Sequence, residues 1–155
     1  MTENGPFLRP GGTHDAEAIA SLIEIVNRRP IDRARLEASL ADAPSVMAVD
    51  DEGLAGFAYG RRFAPDVVEL QNVLLAPRWR GRGQGRRLFA EVERAMSAAG
   101  YRAVVGANSL LHPGADPEHC AAARGFWLRM GFRVLMATGG TVVLGKWLPH
   151  PTETR

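Results

Sequence analysis

Residues 73–86 read Val73-Leu74-Leu75-Ala76-Pro77-Arg78-Trp79-Arg80-Gly81-Arg82-Gly83-Gln84-Gly85-Arg86. This stretch is the most informative part of the sequence, because it passes from an apolar strand through a glycine-rich turn into the start of a helix. Its three glycines carry no side chains, so successive backbone N–H groups can approach a bound anion closely. The positive end of the helix dipole and the neighbouring arginines add to that attraction. The segment therefore predicts a loop that binds a phosphate or pyrophosphate group.

The spacing of the glycines distinguishes between known phosphate loops. The dinucleotide-binding fingerprint needs glycines at i, i+2 and i+5, and counting from Gly81 the last position falls on Arg86. That fingerprint is therefore absent. The pattern that fits is Arg-x-x-Gly-x-Gly, formed by Arg80, Gly83 and Gly85 directly after a predicted strand.

Hydrophobic periodicity and turn residues predict the elements on both sides of this loop. Before the loop we expect a strand at Phe7 and Leu8, an amphipathic helix over 14–28 with Thr13 as its N-cap, a helix from Asp32 to Leu40, and strands over 46–49, 54–63 and 67–76. After it we expect a helix over 84–99 closed by Gly100, a strand over 101–107, a loop over 109–118, a helix over 121–130, and a hairpin of strands 132–137 and 141–147. The helical crossover predicts that strands 67–76 and 101–107 are parallel. The sequence thus predicts one α/β domain over residues 1–155, with a frayed tail from 149 onward.

Composition limits the classes of protein that remain. A length of 155 residues suits one domain, and a hydrophobic content of 46% argues against disorder. No run of about 18 apolar residues is present to span a membrane. The net charge is only +2, so the five arginines among residues 78–87 form a local cluster rather than a nucleic-acid-binding surface. We therefore expect neither nucleic acid nor membrane as a partner. The single cysteine, Cys120, cannot form an internal disulfide, and this favours a cytoplasmic protein.

The arginine-glycine pattern resembles the pyrophosphate-binding segment of the GNAT superfamily of acyl-CoA-dependent N-acyltransferases. The similar string runs from Leu75 to Gly85 and includes Pro77 and Trp79. A second stretch, Phe-Trp-Leu-Arg-Met-Gly-Phe at residues 126–132, resembles the aromatic signature of the same family. The order of predicted elements is also similar over nearly the whole chain. The two signatures occur in the family's order, and together they are more specific than either alone.

The resemblance implies a mixed α/β (α+β) fold whose sheet is mostly antiparallel, has six to seven strands, is splayed after the fourth strand and is flanked by about four helices. It implies acetyl-CoA as a co-substrate in that opening and a homodimer. The acceptor is expected to be a small amine, although the sequence also allows an amino acid, an antibiotic, a polyamine or an amine of a protein. The pantetheine would pair with the backbone of residues 73–75, through Val73 and Leu75 on either side of Leu74. Asn108 corresponds to a family position that often contacts the cofactor. The pyrophosphate would lie on the segment made of Arg80, Gly81, Arg82, Gly83, Gln84, Gly85 and Arg86.

Acetyl transfer to an amine needs a base, and Glu69 is the candidate. The resemblance supports it, because several family members carry a catalytic glutamate at this position upstream of the loop. Strand alternation predicts that Glu69 shares a face with Gln71, Val73 and Leu75. The alternative is that Glu69 only pairs with a neighbouring arginine such as Arg61. The backbone N–H of Leu75 is the expected donor to the oxyanion of the tetrahedral intermediate.

The aromatic signature departs from the family at one residue. Many members carry a tyrosine that protonates the leaving thiolate, whereas this chain has Trp127, whose indole N–H donates a hydrogen bond but not a proton near neutral pH. Solvent, Tyr59, Tyr101, Ser109 or Cys120 would have to supply the proton instead. The tryptophan therefore leaves a second interpretation open, an acyl-CoA-binding or regulatory module with little or no catalysis. A nucleic-acid-binding domain is the weakest alternative, because glycines interrupt the basic run.

The loop over residues 109–120 carries several groups that could bind a metal. His112, Asp116 and His119 could be combined into such a site, but the two prolines of the loop break any regular ligand spacing. We therefore predict no metal. The loop is more consistent with a wall of the acceptor pocket or with a solvated surface segment.

Overall fold

A mixed sheet runs through the middle of the structure, a computed structural model that describes residues 5–111 and 115–149. Its seven strands within those residues are β1 (Phe7–Pro10), β2 (Ser45–Asp50), β3 (Gly53–Ala64), β4 (Val67–Leu75), β5 (Ala103–Ser109), β6 (Arg133–Ala137) and β7 (Thr141–Trp147). They lie in the order β1-β2-β3-β4-β5-β7-β6. Neighbouring strands are antiparallel except β4 and β5, which are joined by a helical crossover and are parallel, as predicted.

Four helices in the described part of the chain cover this sheet: α1 (Ala16–Asn27), α2 (Arg33–Asp42), α3 (Gln84–Ala98) and α4 (Pro117–Arg129). One core lies between the sheet and α3 and α4, and it is built around Leu88 and Phe89. A second core lies between the sheet and α1 and α2, and it is built around Ile19, Leu36 and Phe57. We call these two sides the α3–α4 face and the α1–α2 face. The predicted mixed α/β class, strand count and helix count are confirmed.

The sheet is split between β4 and β5. These strands pair over only three rungs, the last of which joins Glu69 to Val105. Beyond it, β4 continues beside β3 as far as Leu75, while β5 continues beside β7 as far as Ser109. A V-shaped opening therefore separates the second halves of the two strands, as the resemblance implied.

A β-bulge lies in β4 close to the point where the opening begins. Asn72 pairs with Tyr59 and Leu70 pairs with Gly60, so Gln71 is an extra residue on β4. A bulge of this kind shifts the alternation of side chains by one residue. Side chains before Gln71 and after it therefore follow opposite phases.

The bulge corrects the predicted face of Glu69. Leu70 packs in the core of the α3–α4 face, whereas Leu74, four residues later, packs in the core of the α1–α2 face. Val73 and Leu75 pack against the α3–α4 core. Glu69 alternates with Leu70 and so lies on the α1–α2 face. The predicted shared face of Glu69 with Val73 and Leu75 is wrong, because simple alternation does not allow for the extra residue.

Two helix starts differ from prediction for local reasons. Thr13 is not an N-cap, because it lies in a short 3₁₀ turn in which the Asp15 carboxylate accepts the Gly12 N–H at 3.0 Å, and α1 begins directly after Asp15. Helix α4 begins at Pro117, four residues before the predicted start. The Asp116 side chain caps it by accepting the N–H of the second helical residue, and proline suits a first helical position.

An ion pair connects β1 to the start of α1. Arg9 donates from Nη1 and Nη2 to the two carboxylate oxygens of Asp15, at 3.0 and 2.7 Å. The Asp15 side chain is only 6% exposed. The hydrogen bonds from Arg9 outweigh the desolvation of the carboxyl and hold the pKa of Asp15 below its usual value.

We expect this pair to make stability depend on pH in the acid range. A carboxyl with a lowered folded pKa stabilises the fold above its unfolded pKa of about 4, and that contribution is lost as the pH falls toward the folded pKa. In Asp15→Asn, the free energy of unfolding should therefore change less between neutral pH and about pH 3 than in the wild type. Urea unfolding at several pH values measures this. The exposed-turn variant Asp51→Asn should keep the wild-type slope, and an unchanged slope in Asp15→Asn would contradict the assignment.

Candidate functional site

The loop at residues 80–83, here called the Arg-Gly loop, joins the end of β4 to α3 through a short turn. Gly81 and Gly83 have φ values of +72° and +75°, and a Cβ at either position would meet no atom within 4 Å. Their backbone conformation, rather than crowding, therefore requires glycine. Gly83 is the N-cap of α3, so the first N–H groups of that helix have no acceptor within the helix. Together with the helix dipole, they form a site suited to an anion.

Two side chains of this segment fold back onto the protein. The Nε of Arg80 donates to the carbonyl oxygen of Leu75 at 3.2 Å, which fixes the loop to the end of β4. The Gln84 side chain packs against Gly5, and its Oε1 accepts from Nη1 of Arg87 at 3.2 Å. Gln84 therefore offers a ligand only its backbone N–H.

Asp50, at the end of β2, holds the turn that precedes the loop, and the sequence did not predict this. Its Oδ2 accepts from Nε of Arg78 and from Nε1 of Trp79, both at 2.7 Å, and its Oδ1 accepts from Nη2 of Arg78 at 3.0 Å. The guanidinium of Arg82 lies 5.5 Å from the centre of the Trp79 ring. The Arg78 hydrogen bonds, with that of Trp79, hold the pKa of Asp50 well below its usual range. Asp50 and Arg78 are 28 positions apart, so no local sequence pattern could have joined them.

A cavity of about 250 Å³ lies in the opening between β4 and β5. Both strands and α4 line it, with Leu70, Gln71, Asn72, Val73, Gly106, Ala107, Asn108, Ser109, His119, Cys120, Ala123 and Trp127 among the lining residues. Nδ2 of Asn108 donates to the carbonyl oxygen of Cys120 at 3.0 Å. Its Oδ1 is buried and has no hydrogen-bond partner among the described atoms. A buried acceptor of this kind is normally satisfied, so Asn108 is suited to hydrogen-bond a ligand in the cavity.

Glu69 lies at the last rung that joins β4 to β5, on the α1–α2 face. Its Oε2 accepts from Nε of Arg61 at 2.9 Å, so the ion pair considered as the alternative is present. The two side chains are 24% and 43% exposed, respectively. Glu69 is therefore placed where the opening begins, and its carboxylate is reached from the face opposite the one on which Val73 and Leu75 lie.

The residues considered as proton donors to the thiolate are not all near the cavity. Ser109 and Cys120 line it, whereas Tyr59 and Tyr101 are not among its lining residues. Tyr59 is buried, and that burial raises the pKa of its hydroxyl despite a hydrogen bond with Asn72. His119 also lines the cavity. The sequence indicated it only as a metal ligand, because its position in the first turn of α4 depends on the early start of that helix.

Trp127 belongs to an aromatic cluster on the α3–α4 face. Its ring centre lies 5.4 Å from that of Phe89, 5.0 Å from that of Phe126 and 5.3 Å from that of Phe132. Trp127 also lines the cavity between β4 and β5. The aromatic signature therefore packs α4 against α3, and it places the indole of Trp127 at the wall of the cavity.

The described residues form neither a cluster of metal ligands nor a helix that could span a membrane. Within residues 5–111 and 115–149, no three His, Cys, Asp or Glu side chains are grouped so as to hold a metal ion. His112, one of the three residues discussed for such a site, lies outside the described residues. No helix in the described ranges has the length and apolar character needed to cross a membrane.

We expect the ion pair between Glu69 and Arg61 to contribute little to stability, because both side chains are partly exposed. Glu69→Gln should change the free energy of unfolding by less than about 1 kcal/mol. Equilibrium unfolding in urea checks this, with Arg61→Met as the matched change in the partner. A loss above about 2 kcal/mol would make Glu69 a structural anchor instead.

Comparison with known proteins places this geometry in a family. A family model described as an acetyltransferase (GNAT) domain matches residues 42–134. A comparison with curated proteins found no significant match. Among solved structures, the chain is similar to the ribosomal-protein-S18-alanine N-acetyltransferase from Escherichia coli, with a TM-score of 0.73, 14% identity, and coverage of 96% of this chain and 99% of that one.

Two further structures contain acetyl-CoA. Phosphinothricin acetyltransferase from Sinorhizobium meliloti in complex with acetyl-CoA has a TM-score of 0.67 and 24% identity, covering 97% of this chain and 92% of that one. Arabidopsis thaliana NAA60 in complex with acetyl-CoA has a TM-score of 0.70 and 17% identity, covering 91% of this chain and 98% of that one. These likenesses show the fold. Because the family model matches more than half of the chain, this protein belongs to the GNAT acetyltransferase family.

Proposed function

We propose that this protein is an acetyl-CoA-dependent N-acetyltransferase that moves the acetyl group directly from the thioester to an amine. The observation that carries the proposal is that β4 and β5 stop pairing after Glu69 and that β4 then leads into the Arg-Gly loop at the start of α3. A cofactor with a long amide arm and a diphosphate suits this combination, because the arm needs an open strand edge and the diphosphate needs free N–H groups. The structures of phosphinothricin acetyltransferase and NAA60, which share the fold, contain acetyl-CoA.

The amide arm of the cofactor would act as an added strand. Beyond Glu69, the described residues of β5 do not pair with β4, so the backbone of residues 73–75 is available on that side. Val73 and Leu75 would exchange hydrogen bonds with the pantetheine. The Leu74 side chain is buried in the α1–α2 core, so Leu74 would contribute only backbone. Across the opening, Oδ1 of Asn108 would accept a hydrogen bond from the same arm.

The diphosphate would bind the N–H groups of the Arg-Gly loop and of the first turn of α3. Gly85 has no side chain, and a Cβ there would lie in van der Waals contact with the Phe126 ring at 3.4 Å and with Leu75 at 3.5 Å, so this residue packs closely against the protein. Arg82 and Arg86 are exposed at the same end of α3. Their guanidinium groups would pair with the outer phosphate oxygens.

The chemistry follows from the two faces of the sheet. The amine nitrogen attacks the thioester carbon, a C–N bond forms, and collapse of the oxyanion breaks the C–S bond. Glu69 would take the proton from the amine, directly or through water, from the α1–α2 face. The N–H of Leu75 would donate to the oxyanion. The cofactor would enter from the α3–α4 face, whose residues line the cavity.

The acceptor would bind on the α1–α2 face close to Glu69. A groove between α2 and β3 lies next to the Glu69–Arg61 pair, and Arg35, Arg61 and Arg62 line it. Its volume of about 460 Å³ suits a small amine. The homodimer and the cytoplasmic location stay predictions from the sequence.

A second function is favoured by one observation, the indole of Trp127 in the cavity. Trp127 cannot protonate the leaving thiolate, so this task would fall to His119, Cys120, Ser109 or solvent. Were none of them effective, the protein would bind acyl-CoA and release no product. Binding of acetyl-CoA without turnover of any amine would distinguish this acyl-CoA-binding module from the enzyme.

Replacement of Gly83 tests the cofactor site. Gly83→Ala should cost about 1–2 kcal/mol of stability, because a side chain is strained at its φ of +75°. It should also weaken acetyl-CoA binding about tenfold or more, because the N–H groups of the loop lose their alignment. The matched control is Gly100→Ala, at φ +95° with the same open surroundings but just after the opposite end of α3. That variant should lose stability and keep its affinity.

Isothermal titration with acetyl-CoA and with CoA measures these affinities. Equal binding by Gly83→Ala and wild type would remove the loop from the cofactor site. A folded wild type that binds neither ligand would overturn the proposed function.

Replacement of Glu69 tests the base. Glu69→Gln should lower turnover by a factor of about 10² to 10⁴ while the affinity for acetyl-CoA is unchanged. Thiol release with a panel of amines measures turnover, and Glu17→Gln, on the exposed side of α1, is the control. Wild-type turnover in Glu69→Gln would exclude Glu69 as the base.

A further inference from the structure

Three side chains form a row of contacts beside the Arg-Gly loop. Asp50 accepts the indole N–H of Trp79 at 2.7 Å, and the guanidinium of Arg82 lies 5.5 Å from the centre of that indole. Asp50 lies at the end of β2, Trp79 in the turn after β4, and Arg82 between the two left-handed glycines of the loop. The row therefore runs from the sheet to the tip of the predicted phosphate site.

The carboxylate at the base of this row is firmly held. Besides the indole N–H, Asp50 accepts two hydrogen bonds from Arg78, at 2.7 and 3.0 Å, and one from the backbone N–H of Glu52, at 2.9 Å. Its side chain is 14% exposed. With four donors in place, the carboxylate has a fixed orientation, and it fixes the plane of the Trp79 ring in turn.

Arg82 differs from the nearby Arg78 in its partners. Arg78 pairs with Asp50 and lies 3.2 Å from a carboxylate oxygen of Glu52, so its charge is neutralised locally. Within the described residues Arg82 has no acidic partner, and its recorded contact is the face of Trp79. A flexible arginine loses side-chain entropy when it binds, and an aromatic surface that already restricts it lowers that cost. The positive charge of Arg82 is thus not neutralised by a carboxylate among the described residues, and its guanidinium lies over the Trp79 ring beside the Arg-Gly loop.

We propose that Asp50 and Trp79 are positioning residues for phosphate recognition, in which Asp50 fixes the indole and the indole holds Arg82 where its guanidinium binds phosphate oxygens of CoA. This inference rests on the proposed function, because it requires that the loop binds CoA. It adds that part of the affinity for CoA comes from β2, an element outside the loop and its helix.

A double-mutant cycle on CoA binding tests the row. Arg82→Ala should weaken CoA binding about tenfold, the loss of a charge-assisted hydrogen bond. Trp79→Ala should weaken it about threefold, the loss of a cation–π contact. If Trp79 acts through Arg82, the double variant should bind CoA as the Arg82→Ala variant does. Losses that multiply to about thirtyfold would overturn the proposal, because independent effects add in free energy.

A milder variant separates positioning from damage to the loop. Trp79→Phe keeps an aromatic face but cannot donate to Asp50, so it should weaken CoA binding about twofold in the wild-type background and not at all beside Arg82→Ala. Wild-type binding by Trp79→Phe would remove Asp50 from the row. Thermal unfolding confirms that each variant is folded. Arg94→Ala is the control, because Arg94 is exposed on α3 and pairs only with Glu91 in the described contacts.

The outcomes also separate this inference from the function on which it rests. If wild type binds CoA and Arg82→Ala binds it equally well, the row has no role in recognition and the proposed function stands. If folded wild type does not bind CoA, both fall.

Discussion

The separation of β4 from β5 after the Glu69–Val105 rung is the constraint on which the site depends. Two strands that part inside a sheet leave backbone N–H and C=O groups without partners, and such groups are costly unless something else satisfies them. A ligand with its own alternating amides is suited to that edge. The same divergence allows the end of β4 to turn freely into the Arg-Gly loop. The opening and the loop are therefore two results of one change in strand pairing.

The conformation of the Arg-Gly loop is stabilised by side-chain contacts outside the opening between β4 and β5. Loops rich in glycine are entropically costly to hold in one conformation. Here the Nε of Arg80 binds back to the strand that precedes the loop, and Asp50 secures the turn between them through Arg78 and Trp79. Both contacts hold the loop from its N-terminal side, and the glycines remain able to present their N–H groups.

Features with local causes could be predicted from the sequence. The turn between β4 and α3 was predicted from its glycines, and the start of α2 was predicted from Asp32, whose Oδ1 accepts the N–H of Arg35 at 3.1 Å. Helix α3 was predicted from hydrophobic periodicity, and Leu88 and Val92, four residues apart, are buried on one side of it. Each of these depends on residues within a few positions of one another, where periodicity and turn chemistry apply.

Features with distant causes could not be predicted. The bulge at Gln71 arises from the register between two strands, and its one mark in the sequence is Gly60 on the partner strand, where a Cβ would lie 2.5 Å from the carbonyl oxygen of Glu69. The contact of Asp50 with Trp79 joins parts of the chain that only the folded sheet brings together. Pro117 was interpreted as a breaker, although as a first helical residue it begins α4. Strand register and long-range side-chain contacts therefore decide the finer geometry of the site.

The bulge at Gln71 also affects how the two substrates would reach the proposed active site. Because of this one extra residue, the Glu69 side chain lies on one face of the sheet, whereas the strand edge proposed to bind the cofactor arm is reached from the other face. The acetyl donor and the amine acceptor would then bind from opposite faces of the sheet and come into contact only at the gap between β4 and β5. Each substrate could bind while the other is bound, so the protein could form a ternary complex with both. An inhibitor that covalently links the two substrates would have to pass through the sheet at the gap between β4 and β5.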